Sequence, residues 1–375
     1  PGTNTFCEPS FGFEVEEIFC SGLVRHSEQP AGVIVALTAD QAHRAAKLVR
    51  ISYSNPSSDF KLQPSLGDVF ASPTPDSSRI VPASKSTSKK IKFSEQPDKE
   101  VRGIFQMGLQ YHFTMEPQTT VAIPFEDGLK IFSATQWMDQ TQSVIAHMLQ
   151  VKAKDVQLQV RRLGGGYGSK ITRGNQVACA ASLVAYKLNR PVRFVQSLES
   201  MMDCNGKRWA CRSDYKCHIK DNGKIVGLTN DFYEDAGWSP NESPIEGHST
   251  FPAVNCYDLN GDNFKNNGNA VLTDAPSSTW CRAPGSVEGI AMIENIIEHV
   301  AFEVQKDPAE VRLANIAAGN KISELLPQFL ESREYAQRKK EIESHNAKNR
   351  WTKRGLGLAV MDYPIFYFGQ YPATV

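Results

Sequence analysis

The sequence predicts an α+β fold from three observations. Blocks of strand-like residues stand apart from segments of helical period, capping residues mark several helix starts, and one strand runs through a glycine-rich stretch into a helix.

The elements follow in order. Residues 32–37 form an apolar run of strand length. Thr38-Ala39-Asp40-Gln41 has the form of a capping box and opens a helix through about Val49, and a short strand is expected near Ile51 and Tyr53, which makes a small β-α-β unit. From 55 to 99 the composition turns to Ser, Pro, Lys and Asp without apolar period, as in a linker or surface excursion. Its basic stretch, Ser84-Lys85-Ser86-Thr87-Ser88-Lys89-Lys90, fits a solvated loop better than an anion-binding arm, because 41 basic residues balance 41 acidic ones.

Order resumes at Val101. Val121-Ala122-Ile123-Pro124 and Leu129-Lys130-Ile131-Phe132 flank Glu126-Asp127-Gly128, a hairpin signal. Residues 139–149 read as a helix with Val144, Ile145, Met148 and Leu149 on one face, and Val156, Leu158 and Val160 alternate as a strand. A second helix spans about 175–188 and is stopped by Asn189 and Pro191. Strands and turns dominate 192–279. Ile290, Ile293, Ile297, Val300, Ala301 and Val304 then repeat at helical spacing, and Asp307-Pro308 caps the next helix with proline in its first position.

Length and composition bound the function classes. A chain of 375 residues has room for two or three domains, and 41% apolar with 22% charged residues is an ordinary globular balance, with nothing that points to nucleic acid. No apolar stretch approaches the roughly 18–20 residues that cross a bilayer. The start, Pro1-Gly2-Thr3-Asn4, has neither Met nor a leader pattern, and residues 368–375 end in a strand-like run, so both ends are expected to be cuts in a longer, unsecreted protein. Cysteines at 7, 20, 179, 204, 211, 217, 256 and 281 contain no CxxC pair, which fits a reducing cytosol. The spacing of Cys204, Cys211 and Cys217 suits neither a zinc ribbon nor an iron–sulfur loop.

The chemistry-bearing stretch is Arg161-Arg162-Leu163-Gly164-Gly165-Gly166-Tyr167-Gly168-Ser169-Lys170, between the strand at 156–160 and the helix from 175. Glycines leave backbone N–H groups unshielded and free to converge on an anion, and a helix start adds favourable partial charge. A nucleotide P-loop fails, since counting from Gly164 its second glycine falls on Ser169 and the residue after Lys170 is Ile171. The dinucleotide pattern fails too, because Gly164-x-Gly166 leads to Ser169 and Gly166-x-Gly168 to Ile171. The plain alternative is a tight turn that needs backbone freedom.

Three further segments accompany this loop: Gln110-Tyr111-His112-Phe113-Thr114-Met115-Glu116-Pro117-Gln118-Thr119 after Gly103-Ile104-Phe105-Gln106, Ser133-Ala134-Thr135-Gln136, and Trp280-Cys281-Arg282-Ala283-Pro284-Gly285. In order and spacing the set resembles the molybdenum hydroxylases, meaning xanthine dehydrogenases and aldehyde oxidases, over essentially the whole chain. The resemblance implies the end of an α/β-hammerhead-like domain (1–55), the excursion (56–100), a first molybdopterin-binding subdomain (101–350) and the start of a second (351–375). It also implies a molybdenum–molybdopterin cofactor, with Gln136, Gly166, Tyr167, Gly168 and Arg282 close to it, and Gln136, Tyr167 and Arg282 in the surroundings of the molybdenum. The amide of Gln136 suits metal-bound oxygen, though it could instead cap the following helix, and Arg282 alone would be a surface ion pair.

Ile171, His248 and Pro284 fall where the resemblance places the substrate pocket. Xanthine enzymes carry a glutamate after the loop lysine, and with Ile171 there a purine would forgo a charged hydrogen bond, a loss of about 1–3 kcal/mol. His248 loosely replaces a purine-binding arginine, and Pro284 replaces an aromatic that sandwiches flat substrates. These departures favour an aldehyde oxidase over a xanthine dehydrogenase, with a non-catalytic interaction fragment as the alternative from another class. The resemblance further implies water as the source of oxygen, dioxygen as final acceptor with hydrogen peroxide formed, FAD and two 2Fe-2S clusters outside this chain, a cytoplasmic homodimer, and a catalytic glutamate beyond Val375. No catalytic residue is nominated within the chain: His112 and Glu116 are four residues apart, but Glu116 is expected to be a structural, hydrogen-bonded carboxylate.

Overall fold

The computed structural model describes residues 2–54, 61–82, 93, 95–243, 249–250 and 252–363. Helix α1 (Ala39–Ala46), helix α2 (Leu66–Val69) and strand β1 (Ile80–Pro82) come first, followed by β2 (Lys99–Met107), β3 (Thr119–Phe125), β4 (Gly128–Ser133), α3 (Met138–Leu149), β5 (Val156–Gln159) and α4 (Gly174–Leu188). The remainder comprises β6 (Val192–Val195), α5 (Leu198–Cys204), β7 (Cys211–Ile219), β8 (Ile225–Gly237), β9 (Phe264–Leu272), α6 (Ser286–Glu303), α7 (Pro308–Asn315), α8 (Ile322–Ser332) and α9 (Tyr335–Lys348). Two mixed sheets with helices laid on them give the α+β class expected from the sequence.

The smaller sheet has the order β5-β4-β3-β6, with β5 parallel to β4 and the other pairs antiparallel. Its β3–β4 hairpin turns at Glu126-Asp127, where Phe125 pairs with Gly128. Alternation puts Ala122, Leu129 and Ile131 inward, and they share a core with Val144, Ile145 and Met148 of α3 and with Ala178, Cys179, Ala181 and Ala185 of α4. Small side chains on α4 let it lie close to β3. Phe6, Cys7 and Ile18 of the N-terminal segment complete this core.

The larger sheet has the order β1-β9-β8-β7-β2, with β8 and β9 parallel and the rest antiparallel. Helix α6 covers it: Ile293, Ile296, Ile297 and Val300 pack on Val101, Tyr215, Cys217, Ile219 and Leu228. Full burial of each such aliphatic side chain stabilises by about 1.5–3 kcal/mol, so this contact is a main hold on the C-terminal half. Asp307 caps α7 as expected, its carboxylate accepting from the N–H of Ala309 at 2.7 Å.

Several expectations need correction. Residues 32–37 and the stretch near Ile51 and Tyr53 form no strand, and no described strand runs beside them. Leu37 is 89% and Tyr53 67% exposed. A strand without a partner leaves its N–H and C=O groups unpaired, so apolar run and length do not suffice. The capping box does form, with Thr38 Oγ1 accepting from the N–H of Gln41 at 3.2 Å, but α1 ends at Ala46 rather than Val49, because it buries no residue that could extend it. The excursion is partly docked: β1 pairs with β9, and Leu66 and Val69 of α2 pack on Val271. A one-turn helix and a three-residue strand are too short to leave a period. The basic stretch 84–90 and the end at 368–375 lie outside the described residues.

Candidate functional site

The glycine-rich loop leaves β5, an edge strand, and reaches α4 at Gly174. Three of its residues adopt left-handed backbone, Gly165 at φ +95°, Tyr167 at +54° and Gly168 at +106°. Two other segments close on it within the space of a Cβ. A methyl group on Gly166 would stand 2.4 Å from Oε1 of Gln136, and one on Gly168 would stand 2.0 Å from the carbonyl oxygen of Trp280. Glycine is needed at 166 for close approach, and at 168 for close approach as much as for torsion.

The loop's N–H groups divide into two sets. The amide of Gly164 donates to Glu116 Oε2 at 2.9 Å, and those of Gly168 and Lys170 donate to Gln136 Oε1 at 3.0 and 3.3 Å. Those of Ser169 and Ile171 close turns onto the carbonyls of Gly166 and Gly168, at 3.0 and 3.1 Å. Between Gly164 and Ile171, the N–H groups of Gly165, Gly166 and Tyr167 bond no other described residue. The expectation of a loop free to cradle an anion, with a helix start beside it, is therefore corrected: from Gly164 to Ile171 three N–H groups are spent on Gln136 and Glu116 and two within the loop, and α4 starts at Gly174, three residues beyond Ile171.

Gln136 follows β4. Its N–H donates to the carbonyl of Lys170 at 2.8 Å, so with its side chain it makes three bonds to the loop. It does not cap α3, whose N-terminal residue Trp137 has no side-chain cap. Its amide nitrogen, on an exposed side chain, makes no hydrogen bond to a described residue and remains a free donor.

Arg282 enters from the segment before α6. Its N–H donates to the carbonyl of Tyr167 at 2.9 Å, which ties that segment to the loop, and its side chain is exposed. Residues 280–285 are fixed from below by Arg208, buried with 3% exposure, and by His112, whose Nε2–H donates to the carbonyl of Trp280 at 2.7 Å. Burial pushes His112 below its ordinary value, so the ring is neutral at pH 7.

Lys170 and Glu116 supply the loop's ion pair. The Lys170 side chain is wholly buried, and its Nζ lies 2.6 Å from Glu116 Oε2, the same oxygen that accepts from Gly164. Burial raises the Glu116 carboxyl, but the bonds from Lys170 and Gly164 outweigh it and hold it below the usual range. Burial pushes Lys170 down against the pull of Glu116. Glu116 is thus a bonded carboxylate that neutralises the lysine, and the four-residue spacing to His112 carries no acid–base pairing, since His112 bonds Trp280 instead.

Below the loop's exit, Arg173 donates to both oxygens of Glu16 at 2.8 and 2.9 Å, to Glu242 Oε1 at 2.8 Å and to the Thr172 hydroxyl at 3.0 Å. Glu242 also accepts from Thr172 and Thr279. Burial alone would raise the Glu16 carboxyl, yet Arg173 draws it below its ordinary value.

The structure brings Gln136, Gly166, Tyr167, Gly168 and Arg282 together. Ile171 and Pro284, both half-buried, flank them along the chain, and His248 lies outside the described residues. Cys211 and Cys217 point inward from β7 into apolar clusters. Arg208, Arg173 and Glu16 were not foreseen: their partners are 69 to 157 residues away, and nothing local marks them. The donors left unbonded on these segments, three backbone N–H groups and a side-chain amide, with the exposed guanidinium of Arg282 on the segment tied to the loop, suit an anionic, oxygen-rich ligand.

Residues 78–316 match the family described as the molybdopterin cofactor-binding domain. The chain is 31% identical to a xanthine dehydrogenase of Oryza sativa subsp. japonica, with 94% of this chain and 26% of the relative covered. It is 30% identical to an indole-3-acetaldehyde oxidase of Zea mays, with 95% and 27% covered. The chain spans about a quarter of the length of these curated relatives. Among solved structures, the aldehyde oxidoreductase of Desulfovibrio desulfuricans superposes with a TM-score of 0.72 at 17% identity, over 92% of this chain and 40% of that one, which is a likeness of fold.

Proposed function

This chain belongs to the molybdenum hydroxylases, the family of the xanthine dehydrogenases and aldehyde oxidases, and on that premise we propose that it forms part of the cofactor-binding region of an aldehyde oxidase. The reaction is oxidation of an aldehyde to a carboxylic acid, with water as oxygen source and dioxygen as final acceptor, giving hydrogen peroxide. The observation that carries this proposal is that Gln136 and the Arg282 backbone are tied to a glycine loop with three unbonded N–H groups, with the nearby carboxylate of Glu116 already neutralised by Lys170.

The residues fit the molybdenum–molybdopterin group. Gly166 and Gly168 let Gln136 and the Trp280 segment close onto the loop, and the free N–H groups of Gly165, Gly166 and Tyr167, the Gln136 amide and Arg282 would hold its oxygens. When bound, the group supplies a two-electron oxidant and activates water near neutral pH. Gln136 orients its amide by spending its oxygen on the loop, so only its N–H donors are left to face a ligand. Ile171 and Pro284 offer apolar contact and exclude water without gripping a purine, which supports an aldehyde over a purine substrate.

The catalytic glutamate, FAD and two 2Fe-2S clusters belong, in this proposal, to parts of the protein outside the chain, and the whole protein is a cytoplasmic homodimer. Among the described residues no helix is long and apolar enough to cross a membrane. Division into the end of a hammerhead-like domain (1–55), an excursion (56–100) and two cofactor-binding subdomains (101–350 and 351–375) is part of the same proposal.

The test is metal and pterin analysis of the full-length protein, followed by turnover of an aromatic aldehyde and of hypoxanthine, with Ile171→Glu alongside. We expect one molybdenum per chain, aldehyde-dependent peroxide formation, and a gain in purine turnover of about ten-fold in the variant, from one added charged hydrogen bond. Intact protein without molybdenum sinks the enzyme proposal. Purine turnover above aldehyde turnover in the unsubstituted enzyme sinks the substrate assignment.

A further inference from the structure

Arg208 stands between β7 and the site and is almost completely shielded from solvent. Its Nε donates to Gln110 Oε1 at 2.7 Å, its Nη1 to Glu288 Oε1 at 3.1 Å and to the carbonyl of Ala283 at 3.3 Å, and its Nη2 to the carbonyl of Arg282 at 2.5 Å. Its backbone also pairs with that of Gln110 in an isolated antiparallel bridge. One planar fork therefore joins the segment between β2 and β3, two successive carbonyls of the segment after β9, and the first turn of α6.

The segment it holds is under torsional strain. Ala283 has φ +61°, a conformation that a residue with a Cβ disfavours, and Gly285 follows at +73°. Strained backbone persists where its surroundings over-determine it. The surroundings here are Arg208 from below and the bond from Arg282 to Tyr167.

We propose that Arg208 is a positioning residue: it holds Ala283 in its left-handed turn and so fixes the backbone that carries Arg282 and Pro284 against the glycine loop. The proposal rests on Arg282 and Pro284 belonging to the cofactor and substrate site. Glu288, buried beside it, completes the device by fixing the guanidinium plane through its bond to Nη1. A lysine at position 208 keeps the charge but cannot reach two successive carbonyls, a carboxylate and an amide in one plane.

The test uses the full-length holoenzyme with Arg208→Lys, alone and with Ala283→Gly. Hydrogen exchange of the peptide covering residues 281–286 is expected to quicken about ten-fold in Arg208→Lys while peptides of β7 and β8 hold their rates. kcat/KM per molybdenum for an aldehyde should fall about ten-fold, mostly through KM. Adding Ala283→Gly, which adopts the turn unaided, should recover most of both effects. Unchanged exchange in the 281–286 peptide overturns the proposal, as does a failure of Ala283→Gly to rescue. Should Arg208→Lys not fold, Glu288→Gln serves instead, with a few-fold rise in exchange expected in the same peptide and no rise counting against the proposal. The exchange measurement does not depend on the reaction, so an unsubstituted enzyme that oxidises no aldehyde would refute the functional proposal and leave this one to stand or fall separately.

Discussion

At its entry the glycine loop is tied to Glu116, whose side chain is 34% exposed, while at its exit Arg173 is locked to Glu16 and Glu242 with exposures of 4%, 4% and 0%. Both ends use a carboxylate and a cation, yet the environments differ. At the entry only Glu116 reaches water, since Lys170 is buried, and solvent there partly screens the pair, whereas at the exit a fully buried pair that loses one partner strands the other in a medium that cannot solvate it. The exit brace is thus a condition of folding, and the entry brace trims the loop's shape.

Three measurements break or sharpen that contrast. Replacing Arg173 by Met should have the largest effect, about 3–5 kcal/mol of stability, because Glu16 and Glu242 keep their burial and lose their partner. Chemical denaturation of the full-length protein reads this directly, and a loss under 1 kcal/mol would contradict the contrast. Gly168→Ala comes next: the added methyl meets the Trp280 carbonyl at 2.0 Å and the torsion of +106° is strained for any L side chain, so a cost of about 1–3 kcal/mol is expected, together with loss of bound molybdenum. Wild-type metal content in that variant would show that the close approach is dispensable.

Glu116→Gln should cost least, about 1 kcal/mol, because the amide oxygen still accepts from Lys170 and Gly164 and solvent at position 116 screens the charge left on the buried lysine. Its signature is in the pH dependence. Glu116 binds its proton less readily folded than unfolded, so the stability it supplies is full above its unfolded value near 4.3 and is lost as pH falls through its lower folded value. The variant should therefore lose less stability than the parent between about pH 5 and pH 2. Parallel acid curves for the two proteins would show that the entry pair contributes nothing.

Much of this was legible in the residues. Four glycines between a strand and a helix gave away the loop, and Asp307-Pro308 and the isoleucine repeat gave away α7 and α6, because local backbone chemistry and helical period act within a few residues. The resemblance placed Gln136 and Arg282 beside the loop. What the residues did not disclose depends on three-dimensional neighbours. Spare N–H groups were overcounted, since nothing in the glycine stretch says that Gln136 Oε1 claims two of them. The run at 32–37 has the composition of a strand but no partner among the described residues, and partnering is not a local property. Arg173 and Arg208 look like ordinary surface cations until their distant carboxylates are in place.

The long span of the Arg173 cluster has a consequence for how the chain is made. Glu16 precedes Arg173 by 157 residues and Glu242 follows it by 69. At a synthesis rate of about 5–20 residues per second, Arg173 waits roughly 3–14 s for its second carboxyl group. During that interval the newborn loop has its N-terminal anchor and not its later one, and a chain stalled before residue 242 would present a glycine loop still unbraced at its exit. The loop's exit geometry thus becomes possible only once Glu242 has been made, 69 residues after Arg173.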